Sequence, residues 1–240
     1  LIIGKDPQTT NDVYASNPNE LEGKINTRSL LFDFEATASG SSPSDPALAV
    51  GPNHVVTVFN TGFRIFDKTG TALTGQLAVT NIFSGGGCCD LTVSYDSDAD
   101  RWVLSYLFFN GNVQIAVSDG PDPETAGWNV YTVPGVNDYN KLSIWRDGYY
   151  LTANNGGNTA NKVWVLDRTE SLAGNASANI QAFSMPGWIN PPNVTFHSAQ
   201  VLNITNNDYP TTGGATVIYL GDDAYNGIST DHVRYWIVEP

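Results

Sequence analysis

Residues 45–56 read DPALAVGPNHVV, and this stretch has the pattern of one short strand, a tight turn and the beginning of a second strand. Residues 47–50 are apolar, Gly51-Pro52-Asn53 favours a turn, and apolar alternation resumes at Val55. Comparable apolar runs, separated by turns rich in Gly, Asn and Asp, lie at residues 55–59, 63–66, 102–107, 113–117, 149–151, 162–166, 216–220 and 232–238. Helical periodicity is nearly absent, with one short turn indicated at 170–173, so the sequence predicts an all-β protein.

The strands fall into four similar blocks, which open at Asp45, Asp90, Asn140 and His197. Successive openings are close to the period of about 40–50 residues that is typical of β-propeller blades. We therefore expect an N-terminal extension at residues 1–28 and a propeller at 29–240, with blades near 45–83, 90–133, 140–185 and 197–240. A sandwich of two packed sheets is the alternative, because it also has short strands and regular turns.

Composition and charge limit the classes of function. The chain is 41% hydrophobic and 15% charged, as expected for a globular protein, and its net charge of −13 repels phosphate backbones and anionic membranes. No run of 18 apolar residues occurs, so no membrane insertion is expected. Few lysines, many Asn, Thr and Gly residues, and sequons at Asn175, Asn193 and Asn203 favour an exported protein. The chain starts at Leu1 and stops at Pro240 directly after an apolar run, which suggests that both ends are cut.

Five motifs occur in a fixed order: DPALAVGPNHVV at 45–56, FRIFDKTG at 63–70, YDSDADRW at 95–102, AVSDGPDP at 116–123 and DYNKLSIWRDGYY at 138–150. Together they resemble a group of secreted bacterial β-propeller domains, over a region from about Ser29 to the end of the chain. The resemblance implies a propeller fold and an extracellular or cell-surface location. It also implies that more blades follow the region 231–238, so that this chain is the first part of a larger ring embedded in a larger polypeptide.

In a propeller, the first strand of each blade lines the central channel, and ligands bind at one mouth of it. The block openings Asp45, Asp90, Asn140 and His197 would surround that mouth, with Lys141 beside them. Such a polar cup could bind a glycan or a cation. The alternative is that each aspartate only caps the turn before its strand.

The sequence favours binding over catalysis, because none of the strong enzyme motifs occurs in it. We expect a non-catalytic extracellular propeller that binds a glycan or a surface protein, as an adhesin or as the recognition part of a larger protein. The alternative is a polysaccharide-degrading enzyme. A lyase could use His197 with Tyr139, and a hydrolase would need two carboxylates, for which Asp45 and Asp90 are the candidates. His54 and His232 are interpreted as structural.

Two acidic loops could bind calcium, although no cofactor is required. Asp96, Asp98 and Asp100 alternate along one loop, but the glycine and distal glutamate of an EF-hand are missing, and a hairpin turn explains them equally well. Residues 221–227 form a second acidic loop with the same two interpretations.

Aromatic residues also have two interpretations. Trp102, Trp145, Trp164 and Trp236 are expected in strands, packed between blades. Trp128 and Trp188 are expected in loops, where each would either contact a sugar or hold its loop against the core.

The only two cysteines, Cys88 and Cys89, are adjacent. Successive side chains of a strand point to opposite faces, so a disulfide between these neighbours is expected only if they lie in a turn, for which Gly85-Gly86-Gly87 gives freedom. Two free thiols, an intermolecular bridge and a metal site are the alternatives.

Overall fold

The structure is a computed structural model that describes residues 32–136, 138–153, 163–187, 200–201, 210, 212–223 and 228–240. Within this part the protein is all-β, as predicted, and its strands form four antiparallel sheets. Each sheet is a simple meander, in which every strand pairs with the next strand along the chain. This order follows from the short turns between strands, because antiparallel neighbours need only a tight connection.

Sheet 1 contains β1 (Ala47–Val50), β2 (His54–Phe59), β3 (Gly62–Asp67) and β4 (Leu77–Ala78). Sheet 2 contains β5 (Gly87–Asp96), β6 (Arg101–Phe108), β7 (Asn112–Ser118) and β8 (Trp128–Pro134). Sheet 3 contains β9 (Lys141–Ile144), β10 (Gly148–Thr152), β11 (Val163–Asp167) and β12 (Ile180–Phe183). Sheet 4 contains β13 (Gln200–Val201), β14 (Ala215–Gly221) and β15 (His232–Val238).

Each sheet packs on the next one in the chain, and three apolar clusters fill the spaces between them. Ile65 and Trp102 belong to the cluster between sheets 1 and 2, Tyr149 and Trp164 to the one between sheets 2 and 3, and Tyr150 to the one between sheets 3 and 4. Strands β6 and β10 are buried at nearly every position because neighbouring sheets cover both of their faces. The first strands also follow one another in space, since β1 lies against β5, β5 against β9 and β9 against β13.

Sheet 4 leaves one face open. Strand β15 alternates buried or half-buried positions with exposed apolar ones, and the exposed fractions of its Val233, Tyr235 and Ile237 are 66%, 68% and 52%. Leu220 of β14 pairs with Val233 and is 66% exposed. The apolar residues of sheet 4 thus lie on both of its faces, but within the described part of the chain only one face is packed.

Several local expectations were wrong. Strands β4, β8 and β12 were not predicted, and Trp128 begins β8 opposite Ser118 instead of lying in a loop. Trp145 directly follows β9, while His54 belongs to β2 and not to the turn before it. Trp188, Asn193, His197 and Asn203 lie outside the described residues.

The short helix begins earlier than the predicted turn at 170–173. This helix, α1 (Arg168–Leu172), starts after Asp167, whose carboxylate accepts a hydrogen bond from the backbone N–H of Glu170 at 2.8 Å. An aspartate in this position satisfies an N–H group that has no partner inside the helix. The cap therefore fixes the start of the helix directly at the end of β11.

Candidate functional site

The candidate site lies where the first strands of sheets 1, 2 and 3 begin. Asp45, Asp90 and Tyr139 have φ angles of 43°, 54° and 54°, in the left-handed region that few residues other than glycine enter. Asp45 and Tyr139 each lie two residues before the first paired residue of the strand, Ala47 and Lys141. Asp90 lies inside β5, two residues before Thr92, where the regular pairing with β6 resumes. A positive φ thus recurs near the beginning of the first strand of three successive sheets. Such conformations carry a conformational cost and are concentrated at functional sites.

Hydrogen bonds join sheet 1 to sheet 2 through the buried side chain of Asn60, which directly follows β2. Its Nδ2 donates to Oδ2 of Asp45 at 2.8 Å and to the carbonyl oxygen of Pro43 at 3.0 Å. Its Oδ1 accepts the backbone N–H of Asp90 at 2.8 Å. One amide side chain therefore fixes the aspartate of sheet 1 and the backbone of sheet 2 relative to each other.

Asp90 makes the corresponding connection from sheet 2 to sheet 3. Its Oδ2 accepts the backbone N–H of Tyr139 at 3.2 Å, and its carbonyl oxygen accepts Nδ2 of Asn140 at 3.3 Å. The same Nδ2 donates to Oγ of Ser105 in β6 at 2.8 Å. Asn140 is fully buried, and within the described part of the chain its Oδ1 accepts no hydrogen bond.

Lys141 completes the group. Its ammonium lies 3.2 Å from the centroid of the Tyr139 ring, a cation–π arrangement, and 3.4 Å from the carbonyl oxygen of Asn140. The side chain of Lys141 is partly buried, whereas Asp45 is exposed. We call Asp45, Asn60, Asp90, Asp138, Tyr139, Asn140 and Lys141 together the inner-strand site.

The carboxylates and the ammonium of this site perturb one another. Burial raises the pKa of Asp90, and the negative charges of Asp138 and Asp45 raise it further. The hydrogen bond from the Tyr139 N–H and the positive charge of Lys141 lower it, but by less. Burial lowers the pKa of Lys141, although Asp90, Asp138 and Asp45 favour its charged form. Groups whose pKa values are shifted by burial and by specific neighbours are frequent at functional sites.

The structure brings together five of the six residues that were selected from the sequence for binding or catalysis: Asp45, Asp90, Tyr139, Asn140 and Lys141. His197, the sixth, lies outside the described residues. One detail of the block openings was wrong. The residue of sheet 3 with the positive φ that Asp45 and Asp90 have in sheets 1 and 2 is Tyr139, and not Asn140. Asn140 instead points into the interior.

Three members of the arrangement were missed in the sequence: Asn60, Asp138 and the hydroxyl partner Ser105. Asn60 looks like an ordinary hairpin residue between β2 and β3, and its bridging role depends on the packing of sheet 1 on sheet 2. Asp138 precedes Tyr139 directly, so its proximity to the predicted residues was the available signal. No local pattern marks Ser105, which lies inside the buried strand β6.

Cys88 and Cys89 form a disulfide directly before Asp90. The expectation that such a bond requires a turn was wrong: both residues belong to β5, at an irregularity where the pairing with β6 shifts between Gly87 and Cys89 and again between Cys89 and Thr92. A bulge of this kind changes side-chain direction without ending the strand. Both cysteines are half-buried and pack against the apolar cluster between sheets 2 and 3.

The backbone at Gly87 tolerates no side chain. A Cβ atom there would lie 2.1 Å from Cε1 of Tyr106, far closer than non-bonded carbon atoms approach. The close approach of the tyrosine ring thus explains one of the three glycines that precede the cysteine pair.

Asp96, Asp98 and Asp100, the predicted calcium loop, bind protein partners in the structure. The guanidinium of Arg168 binds Asp96 and Asp98, and Asp100 accepts a hydrogen bond from the hydroxyl of Tyr95. The loop is a hairpin turn between β5 and β6. Calcium binding there stays a prediction. Asp222 and Asp223 of the second acidic loop lie close to Asp231, which directly precedes β15, and the carboxylates of the three residues are near enough to share an ion.

Comparisons with known proteins give distant likenesses. No protein-family profile matches the chain, and no curated protein matches it. Among solved structures it is similar to PorZ, an essential bacterial surface component of the type-IX secretion system of Porphyromonas gingivalis, with 14% identity and a TM-score of 0.37 over 79% of this chain and 28% of PorZ. It is also similar to Hsv2p of Kluyveromyces lactis, with 12% identity and a TM-score of 0.30 over 86% of this chain and 74% of that one. At these scores neither likeness carries an argument about function.

Within the described part of the chain, no helix is long and apolar enough to span a membrane.

Proposed function

We propose that this chain is part of an extracellular β-propeller that recognises a glycan or a surface protein at its inner-strand site without chemical turnover. One observation carries the proposal: a continuous set of hydrogen bonds runs from Asp45 through Asn60 and Asp90 to Tyr139, across the starts of three successive sheets. The sheets of this chain are meanders that pack in chain order with their first strands adjacent. The blades of a propeller have the same arrangement, which supports the proposal.

The chemistry of the site favours ligands that donate hydrogen bonds. Carboxylates outnumber the single ammonium, and carboxylate oxygens accept hydrogen bonds from hydroxyl and amino groups. The whole chain also carries a net charge of −13. We therefore infer that a neutral or amino-substituted glycan, or a basic protein surface, fits the site better than an acidic polysaccharide does.

The open face of sheet 4 supports a role within a larger polypeptide. A propeller blade normally covers the corresponding face of its neighbour, and the exposed side chains of Leu220, Val233, Tyr235 and Ile237 would be buried by such a blade. The proposal accordingly places this chain in a larger ring that belongs to an exported or cell-surface protein. The exposed sequon at Asn175 is compatible with this location.

A glycan array tests the proposal, with the unsubstituted chain compared with Asp90→Asn and Lys141→Met. We expect selective binding to neutral or amino-substituted glycans and a loss of at least tenfold in affinity in both variants. Glu239→Gln, which makes the same charge change as Asp90→Asn at an exposed position next to the fourth sheet, is the control and should bind normally. Equal binding by all three variants would contradict the inner-strand site.

A catalytic function is the second candidate, because burial and the charge of Asp138, with a smaller effect of the second candidate carboxylate Asp45, raise the pKa of Asp90. A general acid of a glycoside hydrolase needs such a raised pKa. An assay for released reducing ends and unsaturated uronates separates the two functions. Release of product that is lost in Asp90→Asn would establish a hydrolase, whereas loss in Tyr139→Phe and His197→Ala would establish a lyase.

A further inference from the structure

A second group of polar side chains joins sheet 1 to sheet 2, away from the inner-strand site. His54 opens β2, and Asp122 and Glu124 lie between β7 and β8. Nε2 of His54 lies 3.7 Å from Oδ1 of Asp122 and 3.8 Å from Oε1 of Glu124. The three ligand atoms all lie within 4.8 Å of one another. We propose that these three side chains bind a divalent transition-metal ion of the zinc class.

The two distances are those of ion pairs without hydrogen bonds, and they leave room for an ion between the side chains. A hydrogen bond from a ring nitrogen to an oxygen is about 2.7–3.2 Å long, so neither carboxylate is within hydrogen-bond distance of the imidazole. Ligand atoms that share one tetrahedral zinc ion, with bonds of about 2.0–2.2 Å, are separated by roughly 3.3–3.6 Å. The two imidazole–carboxylate separations exceed that range by only a few tenths of an ångström, and the two carboxylate oxygens lie within 4.8 Å of each other. The carboxylate of Asp122 is held by the backbone N–H of Glu124 and the hydroxyl of Thr125, both at 3.0 Å, so closure around an ion requires movement of the Glu124 side chain and the His54 ring.

The donor set identifies the class of metal. One imidazole nitrogen and two carboxylate oxygens suit zinc and neighbouring transition ions, whereas calcium and magnesium prefer oxygen ligands alone and more of them. Three protein ligands leave a fourth position for water. The site is also accessible, because the side chains of Asp122 and Glu124 are 45% and 32% exposed, while that of His54 is only 16% exposed.

An ion at this position would connect two sheets. His54 belongs to sheet 1 and both carboxylates to the β7–β8 connection of sheet 2, so the ion would link segments that are far apart in sequence. Because the unfolded chain does not hold these ligands together, binding stabilises the folded state. The site therefore acts as a clamp between the first two sheets, independently of any ligand at the inner-strand site.

Zinc chloride titrated into the chelator-treated chain tests the proposal by calorimetry and thermal unfolding. We expect one zinc per chain at this site, and a rise in Tm of about 5 °C or more at a hundredfold excess over Kd. His54→Gln, Asp122→Asn and Glu124→Gln should each weaken this binding at least tenfold. Calcium chloride should bind there at least tenfold more weakly than zinc.

Matched controls come from sheet 4 and the residue that follows it. His232→Gln and Glu239→Gln remove a histidine and an exposed carboxylate that belong to neither group of candidate metal ligands, and both variants should bind zinc within twofold of the unsubstituted chain. If His54→Gln does not fold, Asp122→Asn decides, because asparagine keeps the side-chain oxygen that accepts the backbone N–H of Glu124. Zinc binding that is unchanged in Asp122→Asn and Glu124→Gln, or equally tight binding of calcium, overturns the proposal.

Discussion

Arg168 binds Asp96 through two hydrogen bonds, from Nε to Oδ2 at 2.7 Å and from Nη2 to Oδ1 at 2.9 Å. Asp96 ends β5 in sheet 2, and Arg168 begins α1 after the third strand of sheet 3. The hydroxyl of Tyr149 donates to the same carboxylate at 2.8 Å. Both charged residues are buried, so this pair joins two neighbouring sheets inside the protein.

Replacement of Arg168 by methionine should destabilise the fold strongly. The substitution leaves the carboxylate of Asp96 buried without its positive partner, and removal of one member of a buried pair typically costs about 3–5 kcal/mol. The free energy of unfolding in urea measures the loss. Asp98→Asn is the control: Asp98 bonds the same guanidinium at 2.7 Å but is 42% exposed, so its removal should cost about 1 kcal/mol or less. Equal losses in the two variants would show that the buried Arg168–Asp96 pair contributes no more stability than the exposed Arg168–Asp98 pair.

The same pair predicts how stability depends on pH. Burial would raise the pKa of Asp96, but other effects hold it below its usual value. These are the hydrogen bonds and positive charge of Arg168 and the hydrogen bonds from the Tyr149 hydroxyl and the Ala99 N–H. A carboxyl with a lowered folded-state pKa stabilises the protein above its unfolded pKa of about 3.9, and this contribution disappears as the pH falls through the folded pKa. Tm measured from pH 7 to pH 2 should therefore drop below about pH 4, and the drop should be smaller in Arg168→Met. If Tm falls by the same amount in Arg168→Met, other carboxylates cause the loss of stability at low pH.

Turn signals and apolar alternation were sufficient to predict the class and most long strands, because both are local properties of the chain. Strands β8 and β12 were missed because Trp128 follows a stretch rich in Asp, Gly and Pro, and Ile180 follows one rich in Ala and Asn, and both stretches resemble loops. The block openings pointed to Asp45 and Asp90, but the backbone conformation that they share with Tyr139 is invisible in the sequence. Asn60 could not be found for a different reason: its partners Asp45 and Asp90 lie at the first strands of different sheets, and only packing brings them together.

Asn60→Ala should lower stability and loosen the inner-strand site together. Asn60 is buried, and its loss leaves the backbone N–H of the half-buried Asp90 without this partner, whereas Pro43 is exposed, so its carbonyl oxygen can bind water instead. Each buried group left unsatisfied costs about 1–3 kcal/mol. Urea unfolding measures the loss, and hydrogen exchange at the amide of Asp90 reports the local opening. Asn81→Ala is the control, because Asn81 is exposed and bonds only the nearby carbonyl of Ala78, so it should change stability little. Slow exchange at Asp90 in Asn60→Ala would contradict the bridging role.

Asp90→Asn should leave stability at pH 7 unchanged or raise it. A carboxyl whose folded pKa is raised costs stability when it is ionised, and that cost disappears as the pH falls through the folded pKa. Asparagine removes the charge, keeps an oxygen that can accept the N–H of Tyr139, and enters the left-handed region readily. Tm at pH 7 and pH 5 checks this: the gain over the unsubstituted chain should be larger at pH 7. A loss of more than about 1 kcal/mol at pH 7 would mean that the ionised form is needed for folding.

Reduction of the Cys88–Cys89 disulfide should leave the global stability nearly unchanged but alter the inner-strand site. A bond between neighbours closes essentially no loop, so it restricts the unfolded chain very little and contributes little by that route. The two cysteines do set the path of β5 directly before Asp90, at the irregularity in its pairing with β6. Thermal unfolding with and without reductant should differ by less than about 3 °C, which corresponds to roughly 1 kcal/mol for a chain of this size. Hydrogen exchange at Asp90 and Tyr139 should rise on reduction, whereas exchange in β10 of sheet 3 should not. A large fall in Tm on reduction would instead make the disulfide a major contributor to the stability of the fold.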